Sequence, residues 1–364
     1  MRRPGWKELL QSVVGFAIAI VLVTYALPAV TGTTWPQIGT QLRRVGTGPA
    51  VLMFVLLMVG LLCYTFTLIA SLPGLTNLRA LIVNAAGTMV STILPGGGAV
   101  GVALTYMMYR SWGFSRRNIS TSIVVTSIWN ILSRLALPVL AAVVIVWWTA
   151  DAPDALVSVA VVAGVVGTVI IALFVAVLFN DTVAGVAHRL VGSLTRPLAR
   201  RWPRAAHFER LLADQRARTG IVVRTGWAGM TFGLVGMFAC FFVLYVVSAR
   251  TMGLDLALPQ LFAAYAIRQF LTTVAVTPGG LGVTEVGTAG VLVAFGGDPS
   301  AAAATALLYA IYTHLLQVPI GLTAWGAWWF GPRDRQAQGQ IAYELLDDVE
   351  EAEDDRSRVI DDDR

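Results

Sequence analysis

Six uninterrupted apolar blocks, at residues 11–31, 49–71, 121–148, 156–180, 225–248 and 301–330, constrain this chain more than any other feature. Each spans the roughly 20 residues of α-helix needed to cross a hydrocarbon core about 30 Å thick. Inside a bilayer the backbone must satisfy its own polar groups, so only helices and closed barrels can span it. The blocks are continuous in hydropathy rather than alternating, which excludes a barrel. Charged residues make up 13% of the chain and mean hydropathy is +0.71, against about 25% charge in soluble domains. The expected class is therefore all-α integral membrane. Arg2, Arg3 and Lys7 precede the first block as they would a secretion signal, but no small-residue cleavage site follows it, so it reads as a retained helix.

Two more apolar regions, 79–110 and 258–297, are each broken in the middle. The first break reads Leu94, Pro95, Gly96, Gly97, Gly98, and the second Thr277, Pro278, Gly279, Gly280. Proline removes a backbone donor and glycine destabilises a helix interior, so both clusters end helices, with Pro95 and Pro278 as hinges. Irregular backbone at membrane depth survives only where protein buries it or where it lines a wet cavity. Each region is thus a re-entrant or double-crossing hairpin, and either form enters and leaves on one side.

Arginine placement orients the chain, because short cytoplasmic loops hold the excess positive charge. The 181–224 segment carries nine arginines and is read as a basic cytoplasmic loop. The 149–155 turn, with Asp151 and Asp154, then lies outside, and the 110–120 loop, with Arg110, Arg116 and Arg117, lies inside. Both termini fall in the cytoplasm. Arg43 and Arg44 fall outside and call for a short interfacial segment. The membrane domain is 1–331. The 332–364 tail, acidic and poor in apolar residues, is expected to be disordered.

The breaks also repeat. Pro95, Gly96, Gly97, Ala99 and Val100 match Pro278, Gly279, Gly280, Gly282 and Val283, and the flanking blocks shift by similar amounts. The halves, about 11–148 and 156–330, start on opposite sides, so the repeats are inverted. Secondary transporters place paired broken segments in this way, with the substrate near the midplane. Amides exposed at a half-helix start favour an anion there, which makes Gly96, Gly97, Gly98, Gly279 and Gly280 substrate-binding candidates. The alternative is that PGG marks ordinary turns in a helical bundle.

Ionisable residues inside membrane helices are costly and mark function or tight pairing. Four stand out: Arg134, Arg268, Glu285 and His314. Arg134 shifted by 180 residues lands on His314, so the two form a symmetry-related candidate site for a lipid phosphate. Arg134 snorkelling and His314 merely bonding a neighbouring helix are the structural alternatives. Glu285 would reach Arg268 if the second hairpin folds back, as a gating latch, a proton-coupling group or a fixed pair. Asn130, Thr272, Thr273 and Thr277 are expected to cap freed backbone or join helices. Tyr106, Tyr109, Trp147, Trp148, Trp328 and Trp329 sit at span ends as interfacial anchors. Cys63 and Cys240 lie in separate apolar blocks, so neither redox chemistry nor a zinc site is expected.

The stretches LPGGGAVGVALTYMMYRSWGFS, IWNILSRLALPVL and TPGGLGVTEVG resemble the flippase-like family of lysylphosphatidylglycerol synthase transmembrane regions. That family includes the membrane half of bacterial phosphatidylglycerol aminoacyltransferases. The resemblance covers about residues 11–330 and implies lipid translocation between leaflets of the bacterial cell membrane. Three departures matter. About 35 residues follow the last block, leaving no aminoacyltransferase domain, so lipid synthesis is not expected. Gly97, Gly98 and Ala99 stand where many members carry an arginine and an acidic residue. His314 stands in for an arginine that members often carry near Ala310.

No HExxH, GxSxG, P-loop or metal cluster occurs, so the chain is not expected to be an enzyme or to need a cofactor. Nucleic acid is not expected either, since the basic segment lacks aromatic interleaving and a recognition fold. The expected partners are a phospholipid or lipid-linked amphiphile, the membrane, and a cytoplasmic or envelope-synthesis protein drawn to the loop or tail. A small-solute or ion transporter and a non-transporting scaffold are the competing readings. Lipid identity, direction, energy source and oligomeric state are open at this stage.

Overall fold

The computed structural model describes residues 14–15, 17–94, 97–148, 205–274 and 277–331, with positions 158, 161–162, 164–169, 172–173 and 176 between them. Pro95, Gly96, most of the predicted 156–180 span and the 332–364 tail lie outside the described residues, as do the side chains of Trp147 and Trp148. Every regular element among the described residues is helical.

Helix α1 (Ala17–Thr31) carries a π turn at Leu22–Ala26 and stops at Gly32, which takes a left-handed conformation. The chain then bends by 94° into the short α2 (Trp35–Leu42), whose first turn is closed by Thr34 N–H donating to Gln37 Oε1 at 2.9 Å. Arg43 and Arg44 follow α2 directly, in the turn that leads to the next helix. Next come α3 (Thr47–Ser71), α4 (Asn77–Ile93), α5 (Gly97–Ser111) and α6 (Arg116–Trp148). After the undescribed stretch come α7 (Ala205–Thr251), α8 (Leu258–Leu271), α9 (Val283–Ala294) and α10 (Pro299–Phe330), the last with a π turn at Ile311–Leu315. Thr76 caps α4 and Asp298 caps α10, each side chain accepting from a first-turn amide.

By length and composition α3, α6, α7 and α10 can each cross a membrane, and α1 with α2 makes a fifth crossing if the bent pair is one span. Within the segment read from sequence as a basic cytoplasmic loop, residues 205–224 form the front of the 47-residue α7. One detail differs from expectation. Tyr109 is 1% exposed inside a core cluster with Trp112 and Phe114, not an interfacial anchor. Burial wins because the end of α5 is covered by the turn it leads into. Trp328 is likewise half-buried and donates through Nε1 to Ser111 Oγ at 2.8 Å, whereas Trp329 is 57% exposed, as an anchor would be.

The centre of the fold is the α3–α7 pair, held by a glycine seam. A Cβ at Gly226 would lie 2.5 Å from Ala70 O, and one at Gly233 would lie 2.7 Å from Thr67 N, so only glycine permits this approach. The arms of each broken region pack on each other, α4 on α5 and α8 on α9. Packing also crosses the chain: α6 lies on α8, and α10 lies on α4. The run Ala301, Ala302, Ala303 and Ala304 is buried at the head of α10, where small side chains let it close against α7 and α9. These contacts bring the second break, Thr277–Gly282, to the end of α4.

Candidate functional site

The four ionisable residues singled out from sequence meet around one turn, the C-terminal end of α8. Arg268 lies in that last turn and Glu285 in the first turn of α9. A cation at a helix C-terminus and an anion at an N-terminus both complement the helix dipole, so both residues suit the helix ends that this hairpin brings together. Arg268 Nη2 donates to Glu285 Oε1 at 3.2 Å, with the two side chains 2% and 1% exposed. The carboxylate does more. Its Oε2 accepts from Gly282 N–H at 2.5 Å, and Oε1 accepts from Thr284 Oγ1 at 2.8 Å. Glu285 therefore closes the start of α9 as the returning half of a capping box.

Arg268 is sandwiched further. Its guanidinium carbon stands 4.6 Å from the centre of the Tyr309 ring, a cation–π contact within the usual range. Its Nη2 lies 3.4 Å from His314 Nε2. A guanidinium can only donate, so Nε2 accepts and the imidazole proton sits on Nδ1. That nitrogen points to the second break, where a Cβ at Gly279 would lie 3.7 Å from Nδ1. Arg268 Nε is buried with no partner among the described residues.

Arg134, half-buried on α6, reaches the same turn from the other side. Its Nη1 donates to Gln269 Oε1 at 3.3 Å and to Thr272 Oγ1. Phe238 lies 6.0 Å from its guanidinium. Arg134 and His314, matched from sequence as a symmetric pair, thus take different partners: Arg134 holds Gln269 and Thr272, and His314 holds Arg268. With two guanidinium charges and one carboxylate, and the imidazole accepting, the group carries one positive charge that no carboxylate among the described residues compensates. Among the described residues neither arginine has a further salt bridge.

The two breaks differ in detail. In the second, Gly279, Gly280 and Gly282 all have positive φ, at 62°, 77° and 85°, and a Cβ at Gly282 would stand 2.8 Å from Leu22 Cβ and 3.1 Å from Ala19 O. The TPGGLG motif is therefore a left-handed turn that other residues cannot follow. Pro278 opens this turn as the first residue of a short 3₁₀ segment. In the first, Gly97 and Gly98 belong to the opening turn of α5 rather than to a loop, and space is open at Gly98. Helix geometry accounts for this, since the first amides of a helix have no internal acceptor and glycines leave them uncovered. The breaks still approach each other, for a Cβ at Gly279 would lie 3.6 Å from Thr92 Cγ2, two residues before Leu94.

The polar groups beside the breaks act on backbone and neighbouring helices, as expected. Thr277 Oγ1 donates to Leu281 O at 2.7 Å, Thr272 Oγ1 to Gln269 O at 2.6 Å, and Asn130 Nδ2 to Tyr64 OH at 2.7 Å. Sequence reasoning missed Gln269 and Tyr309. Gln269, 5% exposed next to Arg268, carried a usable signal as a polar residue beside an arginine well inside an apolar helix. Tyr309 carried none, because its role depends on the rotation of α10.

No curated protein matches this chain. The model of one family, described as the lysylphosphatidylglycerol synthase TM region, matches residues 12–321. The match runs through both broken hairpins and all four ionisable residues of the site, and the chain belongs to that family.

Proposed function

We propose that this chain is a lipid translocase, without enzymatic activity, that carries an anionic headgroup between leaflets past the α8–α9 break while acyl chains stay in the bilayer. The observation that carries this reading is the single uncompensated positive charge where Arg134, Arg268, Glu285 and His314 meet. An excess guanidinium charge held among membrane helices is costly without a counterion, and a transiting phosphate supplies one. Membership of a lipid-related membrane family agrees with it.

The translocase is read as two inverted halves with two re-entrant hairpins. The hairpin arms support this: at 17, 15, 14 and 12 residues they extend about 26, 22, 21 and 18 Å, short of a core of roughly 30 Å. Packing supports it too. Exchanging the halves turns the α4–α10 contact into the α8–α6 contact and leaves the α3–α7 pair unchanged. Charge agrees, with Arg79, Arg110, Arg116 and Arg117 around the outer ends of the first hairpin against Arg250, itself paired with Asp255, around those of the second, a bias of the kind the positive-inside rule expects of opposite orientations. Both termini are then cytoplasmic, and the membrane is the bacterial plasma membrane.

Reconstitution into vesicles with acyl-labelled phospholipids of different headgroup charge tests the reading. Wild-type protein is expected to expose inner-leaflet anionic label to an external quencher. Arg134→Gln is expected to slow this about tenfold or more, the worth of one charge-assisted hydrogen bond. Absence of any leaflet exchange across the headgroup series overturns the proposal.

A further inference from the structure

The first hairpin is polar inside without being charged. Between Arg79 and Arg110 it has no Asp, Glu, Lys, Arg or His, whereas the second hairpin carries Arg268 and Glu285. In place of charge, Asn84, Thr88 and Thr92 recur every four residues of α4 and so stack along one side of it. The partners of this row lie on α4 itself: Thr92 Oγ1 donates to Thr88 O at 2.9 Å, and Thr88 Oγ1 approaches Asn84 Oδ1 at 3.5 Å. Polar side chains that join membrane helices bond across them, as Asn130 does to Tyr64. Among the described residues, none of this row does.

Two helices wall the row. On one side α5 closes on Gly87 and Ser91, for a Cβ at Gly101 would meet Ser91 Oγ and lie 2.8 Å from Gly87 O. On the other, α10 closes on Ala85 and Met89, for a Cβ at Gly321 would meet Met89 Cβ and lie 2.7 Å from Ala85 O. At about 100° per residue, Asn84 and Thr88 fall between those two faces of α4. They are partly exposed and floor the cleft between α5 and α10, which touch each other at their ends through Trp328 and Ser111. The other end of the cleft is the charge cluster, since a Cβ at Gly279 would lie 3.6 Å from Thr92 Cγ2 and 3.7 Å from His314 Nδ1. Going from His314 to Gly321 along α10 therefore runs from Thr92 back to Ala85 along α4, and Gln317 falls between those levels. Gln317 is 6% exposed, and its Oε1 is buried without a partner, as is Asn84 Nδ2.

A buried polar atom without a hydrogen bond is costly, and what these two lack is complementary. Asn84 Nδ2 has a proton to give, and Gln317 Oε1 has a lone pair to receive one. A phosphate diester or carboxylate only accepts and an ammonium only donates, whereas an alcohol does both. Resting on the translocase reading above, we propose that Asn84, Thr88 and Gln317 form a neutral subsite for the hydroxyl groups of a polyol headgroup, glycerol or a sugar, whose phosphate lies at the charge cluster. Thr88 stands one turn, about 5–6 Å, from Thr92, a span that a three-carbon diol covers from its phosphate. The guanidiniums then select the charge of the lipid, and the α4 row selects its alcohol.

The test reconstitutes the full-length chain in vesicles with acyl-labelled phosphatidylglycerol or phosphatidylpropanol, which carry the same charge and differ by the headgroup hydroxyls. Wild-type protein is expected to exchange the diol lipid about tenfold faster, the worth of roughly two neutral hydrogen bonds. In Asn84→Leu and in Gln317→Met the ratio of the two rates should fall to about threefold or less. Arg134→Gln should slow both lipids and keep the ratio, because it acts on their shared phosphate. Equal wild-type rates for the two lipids, or an unchanged ratio in both Asn84→Leu and Gln317→Met, overturns the subsite and leaves the translocase reading standing. Exchange of neither lipid overturns the translocase reading, and the subsite with it. Each ratio is taken within one preparation, so a variant that folds poorly still reports it, and the wild-type ratio decides by itself if neither variant folds.

Discussion

Replacing Glu285 by Gln removes the one negative charge facing Arg268 while preserving the shape of the side chain. At 3.2 Å and an effective dielectric of about 20, the lost attraction is roughly 5 kcal/mol. Part of it is offset. The amide oxygen of Gln can still accept from Gly282 N–H, and Tyr309 and His314 still contact the guanidinium, the ring contact being worth about 1–2 kcal/mol. Arg268, 2% exposed and with Nε already unpartnered, then remains as a buried, unpaired cation. Breaking a buried pair in this way costs about 3–5 kcal/mol, and the retained contacts place Glu285→Gln near the lower end, at about 3 kcal/mol. Removing both charges relieves that penalty, so Glu285→Gln with Arg268→Met should recover at least about half of the loss. The assay is reversible unfolding in mixed detergent micelles, followed by tryptophan fluorescence, on the two single variants and the double variant. A cost below about 1 kcal/mol for Glu285→Gln, or a double variant no more stable than that single one, refutes the account of a buried, mutually dependent pair. Leaflet exchange measured on the stable double variant separates a fixed structural pair, which leaves transport intact, from a gating latch, which does not.

Other consequences are as direct. Gly282→Ala combines a positive φ with a clash against Leu22 and Ala19 and is expected to cost about 2 kcal/mol or more. Gly98→Ala meets open space within a helix and should be neutral or stabilising by up to about 1 kcal/mol; the same unfolding assay compares them. Asp298 accepts from Ser300 Oγ at 2.6 Å and from Ala301 N–H at 2.9 Å, and the Ser300 bond first, then the backbone, holds its carboxyl below the usual carboxylate value. Its folded value is depressed, so its contribution is complete above the ordinary carboxylate value and fades as pH falls through the lowered one. Asp298→Ala should cost about 1 kcal/mol at neutral pH, and Asp298→Asn should cost less while removing that acid-range dependence from the stability–pH curve. Trp328→Phe deletes the bond to Ser111 Oγ and should destabilise by about 1 kcal/mol, read as a lowered unfolding midpoint.

What the amino-acid order determined by itself was local. Helix-length apolar blocks and the two Pro-Gly breaks depend on length, composition and backbone chemistry within one segment, and α3, α6, α7 and α10 follow the predicted spans closely. Even the Arg268–Glu285 pair was legible, because only 17 residues and one hairpin separate its partners. Contacts made across the chain were not. Repeat arithmetic matched Arg134 with His314, yet the fold gives Arg134 to Gln269 and Thr272 and sets Arg268 between His314 and Tyr309. Cys63 and Cys240 looked isolated, and each packs on a glycine of the other's helix. Tyr109 looked interfacial and is buried. Tyr109 is covered by the turn just after it, but the other contacts depend on the rotation of one helix against another more than 40 residues away, which the apolar pattern of a membrane helix barely encodes, since lipid-facing and protein-facing sides are both hydrophobic. Tertiary packing, through glycines that admit a backbone and alanines that admit a helix, decided which faces met and so where the charge collected.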